Sequence, residues 1–190
     1  ILADGRQAIS LEELAMESYY SLGNSSVLTA EVSRQVKKNT VATGCCFAEV
    51  EVDMKLGKIK VLDIVNVHDS GILLNPQLAA MQVHGGMSMG MGCGLSEQLL
   101  LDEKTGRPLN GNLLDYKLMT TMDTPDLTAE FVELNDPMGP YGNKALGEPP
   151  AIPGAPAIRN AVLHATGIGF AEIPLTPQRL IDGFTKAGLI

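Results

Sequence analysis

Aromatic side chains are scarce in this sequence, at 4% with no tryptophan. Its core therefore relies on aliphatics, methionine and close backbone approach rather than on large rings. It has no apolar run near the roughly 20 residues that cross a bilayer as a helix, which excludes a membrane-spanning helix. Positive charge is also short: 14 Lys and Arg against 22 Asp and Glu give a net charge of −8, the wrong sign for a general nucleic-acid binder. Only three cysteines occur, Cys45, Cys46 and Cys93. That odd count without CxxC spacing supports neither a disulfide framework nor a zinc or iron–sulfur cage, and the expectation is buried thiols in a reducing cytoplasm. His68, His84 and His164 lie in separate segments without i, i+4 spacing, so no metal ligated directly by protein side chains is expected. The chain opens Ile1-Leu2-Ala3, with neither an initiator methionine nor a signal peptide, and reads as a piece of something larger.

What the sequence does hold is globular in kind. Apolar residues make up 45% and charged residues 19%, and 190 residues suit one domain or one fragment of a larger domain. Glycine (20) and methionine (9) are conspicuous. Ser10-Leu11-Glu12-Glu13 forms a capping box that predicts a helix through about Tyr20. From Thr40 to Asp53 the late part alternates, with Ala48, Val50 and Val52 on one face, as a half-buried strand does. A turn at Leu56-Gly57-Lys58 and the run Ile59 to Val67 complete a hairpin. Asn75-Pro76 is an N-cap followed by proline at N1, and it opens a predicted helix from Gln77 to about Gly94 that contains five glycines. Each glycine costs a helix interior about 1 kcal/mol relative to alanine, so something must lie very close to this backbone. Strands are expected over Leu95–Leu101 and Thr128–Leu134, the first followed by a turn through Gly106. A Pro- and Gly-rich loop spans about 136–156, long enough to suggest function. Helices follow from Ala157 to about Thr166 and from Thr176-Pro177 through Phe184. Hairpins mixed with helices, without a βαβ rhythm, place the chain in the α+β class as antiparallel hairpins with packed helices.

Three features invite a functional reading. Gly90-Met91-Gly92-Cys93-Gly94 fails the spacing and context of a dinucleotide fingerprint, because no strand feeds it. The methionines Met81, Met87, Met89 and Met91 read as core packing. Glu148 sits between Gly147 and Pro149-Pro150, so its carboxylate is carried on a stiff bend, as the fixed aim of a general base requires. From spacing alone, a solvent-facing loop glutamate stands beside that reading. For Gln82, an exposed helix side chain stands beside a ligand-binding amide.

Gly147-Glu148-Pro149-Pro150, followed by Pro156-Ala157-Ile158-Arg159-Asn160-Ala161, resembles the C-terminal end of the molybdenum hydroxylases, the family of the xanthine dehydrogenases and aldehyde oxidases. Asp69-Ser70-Gly71, Leu74-Asn75-Pro76, Gln82 and Gly85-Gly86 resemble the same family upstream. Glu97, Asp102, the Gly106 turn, Tyr116-Lys117, Thr124-Pro125-Asp126 and Gly139-Pro140-Tyr141-Gly142-x-Lys144 follow in the family's order, so the matches run from about Val41 to Ile181.

The resemblance implies the C-terminal molybdopterin-binding region of a hydroxylase acting on an N-heterocycle, of xanthine, purine or nicotinate type, or on an aldehyde, with water as the oxygen source. It implies Glu148 as general base, and Gln82, Gly85, Gly86 and Gly147 on the side of a molybdenum-bearing molybdopterin, in its plain or cytosine dinucleotide form. It gives the glycine-rich helix a reason, a backbone lying against a bulky cofactor. The family's earlier cofactor loops have no counterpart here. The implied partners are the remainder of the molybdopterin-binding subunit and the chains or domains that carry iron–sulfur clusters and FAD, in an oligomeric, cytoplasmic complex. A non-catalytic assembly or interaction domain of such a complex is the alternative that the missing loops leave open.

Overall fold

The computed structural model describes residues 9–20, 27, 29–33 and 38–190. The Ile1-Leu2-Ala3 opening lies outside the described residues. The chain divides into two compact units, Ile1–Lys37 and Lys38–Ile190. In the first, helix α1 (Leu11–Tyr20) is set by the expected capping box. The Glu13 amide donates to Ser10 Oγ at 3.0 Å and the Ser10 amide donates to Glu13 Oε2 at 2.9 Å.

The second unit is an α+β structure on a three-stranded sheet. Strands β1 (Thr43–Asp53) and β2 (Lys58–Asp69) form the expected antiparallel hairpin. Helix α2 (Pro76–Leu95) follows, and β3 (Leu127–Phe131) joins the far side of β2, giving the order β1-β2-β3. This second pairing is parallel, Ile64 to His68 against Leu127 to Phe131. A parallel neighbour needs a crossover, and α2 together with 96–126 supplies it, so one βαβ unit is present where only hairpins were expected. A register shift after Glu49 leaves Leu62 unpaired. That bulge is why Val61 and Ile64, three residues apart, are both buried on a strand whose side chains otherwise alternate.

The strand expected over Leu95–Leu101 does not form. Leu95 ends α2, and Leu101 makes a single bridge to Pro108. The run pairs only with its own turn, through the Asp102 amide to Arg107 O (2.9 Å) and the Leu109 amide to Leu100 O (2.8 Å). Leu99, Leu100 and Leu101 stay exposed. The Pro- and Gly-rich loop ends earlier than its composition suggests. Helix α3 (Gly154–Thr166) starts three residues before the expected Ala157 and stops at Gly167, which has a left-handed φ of 74°. Helix α4 (Pro177–Lys186) is capped by Thr176.

The helices share out the core. Val61, Ile64, Val83, Met87, Met91 and Ile158 form one cluster, while Val162, Phe170, Leu175, Leu180 and Phe184 form another. Helix α3 supplies Ile158 to the first and Val162 to the second, and Val50 touches both. Complete burial of such side chains contributes about 1.5–3 kcal/mol each. The methionine run divides: Met87 and Met91 are in the core, whereas Met81 and Met89 are exposed. The cysteine expectation is corrected as well, for Cys45 and Cys93 are exposed and only Cys46 is half-buried. Neighbouring strand residues point to opposite faces, so at most one of Cys45 and Cys46 can face the core. Burial, reinforced by Cys45, pushes the Cys46 thiol up to about 11.

The glycines of α2 meet protein rather than open space. A Cβ at Gly86 would lie 2.5 Å from Pro150 Cβ, one at Gly90 3.0 Å from Gly154 Cα, and one at Gly94 3.2 Å from Ala155 Cα. Gly86, Gly90 and Gly94 thus form an i, i+4, i+8 stripe that lets the start of α3 approach α2 backbone to backbone. Val83, Met87 and Met91 form the adjacent stripe, buried in the core. Gly85 is the exception, with nothing within 4 Å. Gly90→Val is expected to destabilise this unit by about 2 kcal/mol through overpacking. Gly85→Ala is expected to be neutral, or stabilising by up to about 1 kcal/mol. Urea unfolding midpoints of the two variants check the contrast.

Candidate functional site

Each candidate side chain is placed by a locally determined element. Asn75 accepts from the Leu78 amide at 3.0 Å, and Pro76 follows at N1, so α2 starts where the sequence says. Gln82 then falls on the side of α2 that faces the Pro- and Gly-rich loop. Its Nε2 donates to the Gly147 carbonyl at 2.8 Å. That bond joins two candidates 65 residues apart and leaves Glu148 next in the chain. Glu148 turns back at once: its carbonyl accepts from the Ala151 amide at 2.9 Å across Pro149-Pro150. Pro150 is buried beneath Gly86, and its carbonyl accepts from Asn66 Nδ2 at 2.9 Å.

The structure therefore brings Gln82, Gly86, Gly147 and Glu148 together, with Gly85 beside them. It gives Gly86 a packing role against Pro150, and it leaves Gly85, Gly147 and Glu148 exposed. The burial that would tune a general base at Glu148 does not come from this chain's described residues. Gln82 Oε1 makes no hydrogen bond among the described residues, and the space over Gly85 is open. An unspent amide acceptor next to the bare backbone of Gly85 suits a polar ligand at this point of α2. No group of three or more His, Cys, Asp or Glu able to hold a metal ion occurs among the described residues.

Beside Gln82 lies a groove of about 270 Å³, lined by Ser70, Leu74, Leu78, Asn143 and Leu146 among others. Larger hollows, of about 660 and 500 Å³, are lined by Leu118 and Met119 and by Phe170 and Arg179, and none of the candidate residues lines them. The floor of the site is polar and buried. Asn66, His68 and Ser70 alternate along one face of β2 and its continuation, each 1% exposed or less. Among the described residues, Asn66 Oδ1, both ring nitrogens of His68 and Ser70 Oγ have no hydrogen-bond partner. Such groups are costly to leave unpaired. The sequence carries this signal as three polar residues at period two beside an apolar strand, but its reading did not use it.

Two more residues escaped a functional reading although both lie in motifs the sequence displays. Asp69 Oδ1 accepts from the Gly71 amide at 3.0 Å, and Lys144 Nζ lies 2.5 Å from Asp69 Oδ2, with both side chains nearly buried. The Lys144 hydrogen bond first, then the Gly71 amide, holds the Asp69 carboxyl below its ordinary range. Burial holds His68 below its ordinary value.

The molybdopterin cofactor-binding domain model matches residues 2–125. A putative xanthine dehydrogenase molybdenum-binding subunit of Escherichia coli strain K12 is 50% identical over 182 residues, 96% of this chain and 24% of that protein. The aldehyde oxidoreductase molybdenum-binding subunit of the same strain is 34% identical over 83% of this chain and 21% of its own length. Among solved structures, CO dehydrogenase from Oligotropha carboxidovorans superposes with a TM-score of 0.71 at 27% identity, covering 78% of this chain and 19% of that one. The chain spans about a quarter of the length of the curated relatives it matches.

His68 and Asp69 each contribute to the pH dependence of stability. His68 has a lowered value, so the unfolded chain takes up its proton first, and stability falls as the pH drops below 6.5. Asp69 is also lowered, so its contribution is complete above about 3.8 and is lost as the pH falls through the lower folded value. Asp69→Asn is expected to lower stability at pH 7 and shrink the loss below pH 4, leaving the step below 6.5 in place. Urea midpoints from pH 8 to pH 3 check this.

Proposed function

This chain belongs to the molybdenum hydroxylase family through its molybdopterin cofactor-binding domain, and on that premise we propose that it contributes the general base and one wall of the cofactor site to a larger hydroxylase. The substrate class is an N-heterocycle of purine or nicotinate type, or an aldehyde. The relative at 50% identity, whose name carries xanthine dehydrogenase, favours the purine. The observation that supports this reading most directly is the Gln82 Nε2 to Gly147 carbonyl bond, which sets the candidate cofactor amide one residue from the candidate base.

In this reading Gln82 offers Oε1 to the cofactor, Gly85 and Gly147 keep side chains out of its way, and Gly86, expected on the cofactor side, instead seats Pro150 beneath the glutamate loop. When bound, molybdopterin-held molybdenum would act as Lewis acid and as acceptor of the two electrons released with the substrate hydrogen when the C–H bond breaks, while water supplies the oxygen. Glu148 takes the proton from the attacking water-derived oxygen, which raises its nucleophilicity as the new carbon–oxygen bond forms. The carboxylate is carried by a bend whose backbone is held on both sides, at the Gly147 carbonyl and at Pro150, which restricts where it can reach. The remaining walls, and the low-dielectric surroundings that a base needs, would come from the remainder of the molybdopterin-binding subunit. Iron–sulfur and FAD groups on partner chains or domains would carry the electrons away, and the cofactor would take its plain or cytosine dinucleotide form. Three free thiols, two of them exposed, suit a reducing cytoplasm.

In the complete enzyme, Glu148→Gln keeps the shape of the side chain but cannot take a proton. It is expected to cut turnover by about 100-fold or more with molybdenum content unchanged, which steady-state assays on xanthine and an aromatic aldehyde, with metal analysis, would measure. Near-normal turnover would remove Glu148 from the role. Absence of molybdenum from the assembled wild-type complex would favour the non-catalytic reading instead.

A further inference from the structure

The loop that carries Glu148 runs from 136 to 153 without regular structure apart from a short 3-10 turn at Pro140–Gly142. A segment of that kind holds a carboxylate in place only if it is tied down close to it. Downstream of Glu148 the ties are Pro150 under Gly86 and the Asn66 bond to the Pro150 carbonyl. Upstream the loop is stitched to the link between β2 and α2. The Ile72 amide donates to Gly142 O at 2.9 Å, the Lys144 amide donates to Ser70 O at 2.7 Å, and Asn143 Nδ2 donates to Ile72 O at 3.2 Å. These bonds fix backbone at 142–144, and between there and Glu148 the further holds are Leu146 on the core and the Gln82 bond to the Gly147 carbonyl.

We propose that the ion pair between Lys144 and Asp69 is the positioning clamp that sets the register of this segment and hence the aim of Glu148. The proposal rests on the reading of Glu148 as the base. Asp69 is the last residue of β2, and its two carboxylate oxygens are divided between two tasks. Oδ1 holds the Gly71 amide, closing the turn out of the strand, and Oδ2 holds Lys144 Nζ at 2.5 Å. Gly71 has a φ of 67° and faces Asn143 across an antiparallel bridge, so a side chain there would collide with the strap. The Lys144 and Asp69 side chains are 10% and 12% exposed. Removing either one strands its partner's charge in poorly hydrated surroundings.

Beyond Lys144 the segment alternates between anchored and free positions. Ala145 is exposed, Leu146 packs on the core cluster, and Gly147 and Glu148 are exposed, with only the Gly147 carbonyl held. A slip of one residue at Lys144 would take Leu146 out of the core and move the carbonyl that Gln82 holds. The clamp therefore acts on Glu148 through the chain and touches no reactant, which makes Lys144 a positioning residue.

The test uses the complete enzyme, with Lys144→Met, Lys144→Arg, Asp69→Asn and Glu148→Gln compared in kcat, KM, molybdenum content and melting temperature. Lys144→Met is expected to lower kcat by about 10- to 100-fold, the scale of a small misplacement of a reacting group, with KM within about threefold and molybdenum retained. Lys144→Arg keeps the charge and should recover most of kcat, and Asp69→Asn should reproduce the Lys144→Met loss. The proposal is overturned if Lys144→Met, or Asp69→Asn where the first does not fold, turns over at the wild-type rate. It is equally overturned if kcat falls only in proportion to lost molybdenum. If Glu148→Gln is inactive while Lys144→Met is fully active, only the clamp is wrong. If Glu148→Gln is fully active, the base assignment itself fails.

Discussion

The contact between α2 and the start of α3 governs the rest of the structure. Gly86, Gly90 and Gly94 present a stripe without side chains, and Pro150, Gly154 and Ala155 lie against it at backbone distance. Those glycines weaken α2 as an isolated helix, and the close packing they permit offsets the loss. Because Pro150 is held under Gly86, the chain entering α3 must pass over α2 at the level of Gln82, and Gly147 comes within reach of its amide. The same contact leaves α3 lying over the sheet, where Ile158 and Val162 tie the two halves of the core together.

Polarity under the site follows from this packing. Strand β2 sends Ile64 into the core, but its continuation toward the site carries Asn66, His68 and Ser70 on the same buried face. One of these groups is used at once, since Asn66 holds the Pro150 carbonyl. Asn66 Oδ1, the His68 ring nitrogens and Ser70 Oγ have no partners among the described residues, which is unusual for a region this well buried. A strand built only to pack would carry aliphatics there. Beside it, Asp69 and Lys144 place a nearly buried ion pair where the strand ends, and the strap is bonded to the same turn. Polar groups with directional bonds thus surround the loop that bears Glu148, while dispersion and burial hold the scaffold beneath it.

Much of the local structure was legible because its causes are local. The Ser10–Glu13 box, the Asn75-Pro76 and Thr176-Pro177 starts and the alternation of Ala48, Val50 and Val52 each determine an element within a few residues. Two of the failures concern pairing with distant segments. Leu95–Leu101 reads as a strand by composition, but no strand is available beside it, so it folds onto its own turn. The parallel pairing of β3 depends on a crossover through residues 70–126. The glycines of α2 were rightly read as a surface of close approach. The body that approaches three of them is α3 with the turn before it, and only Gly85 keeps open space.

The sequence by itself singled out Gln82, Gly147 and Glu148 as candidates, because they stand in an ordered series of motifs that resembles one family. It also determined where α1, α2 and α4 start, since their caps act across three or four residues, whereas α3, without a side-chain cap, starts earlier than expected. Only the tertiary structure decided that Gln82 meets the glutamate loop, that Gly86 serves Pro150, and that Asp69 reaches Lys144, which lies 75 residues along the chain. Those pairings depend on how two helices and a sheet edge are brought together, and spacing along a chain holds no record of a contact made by packing.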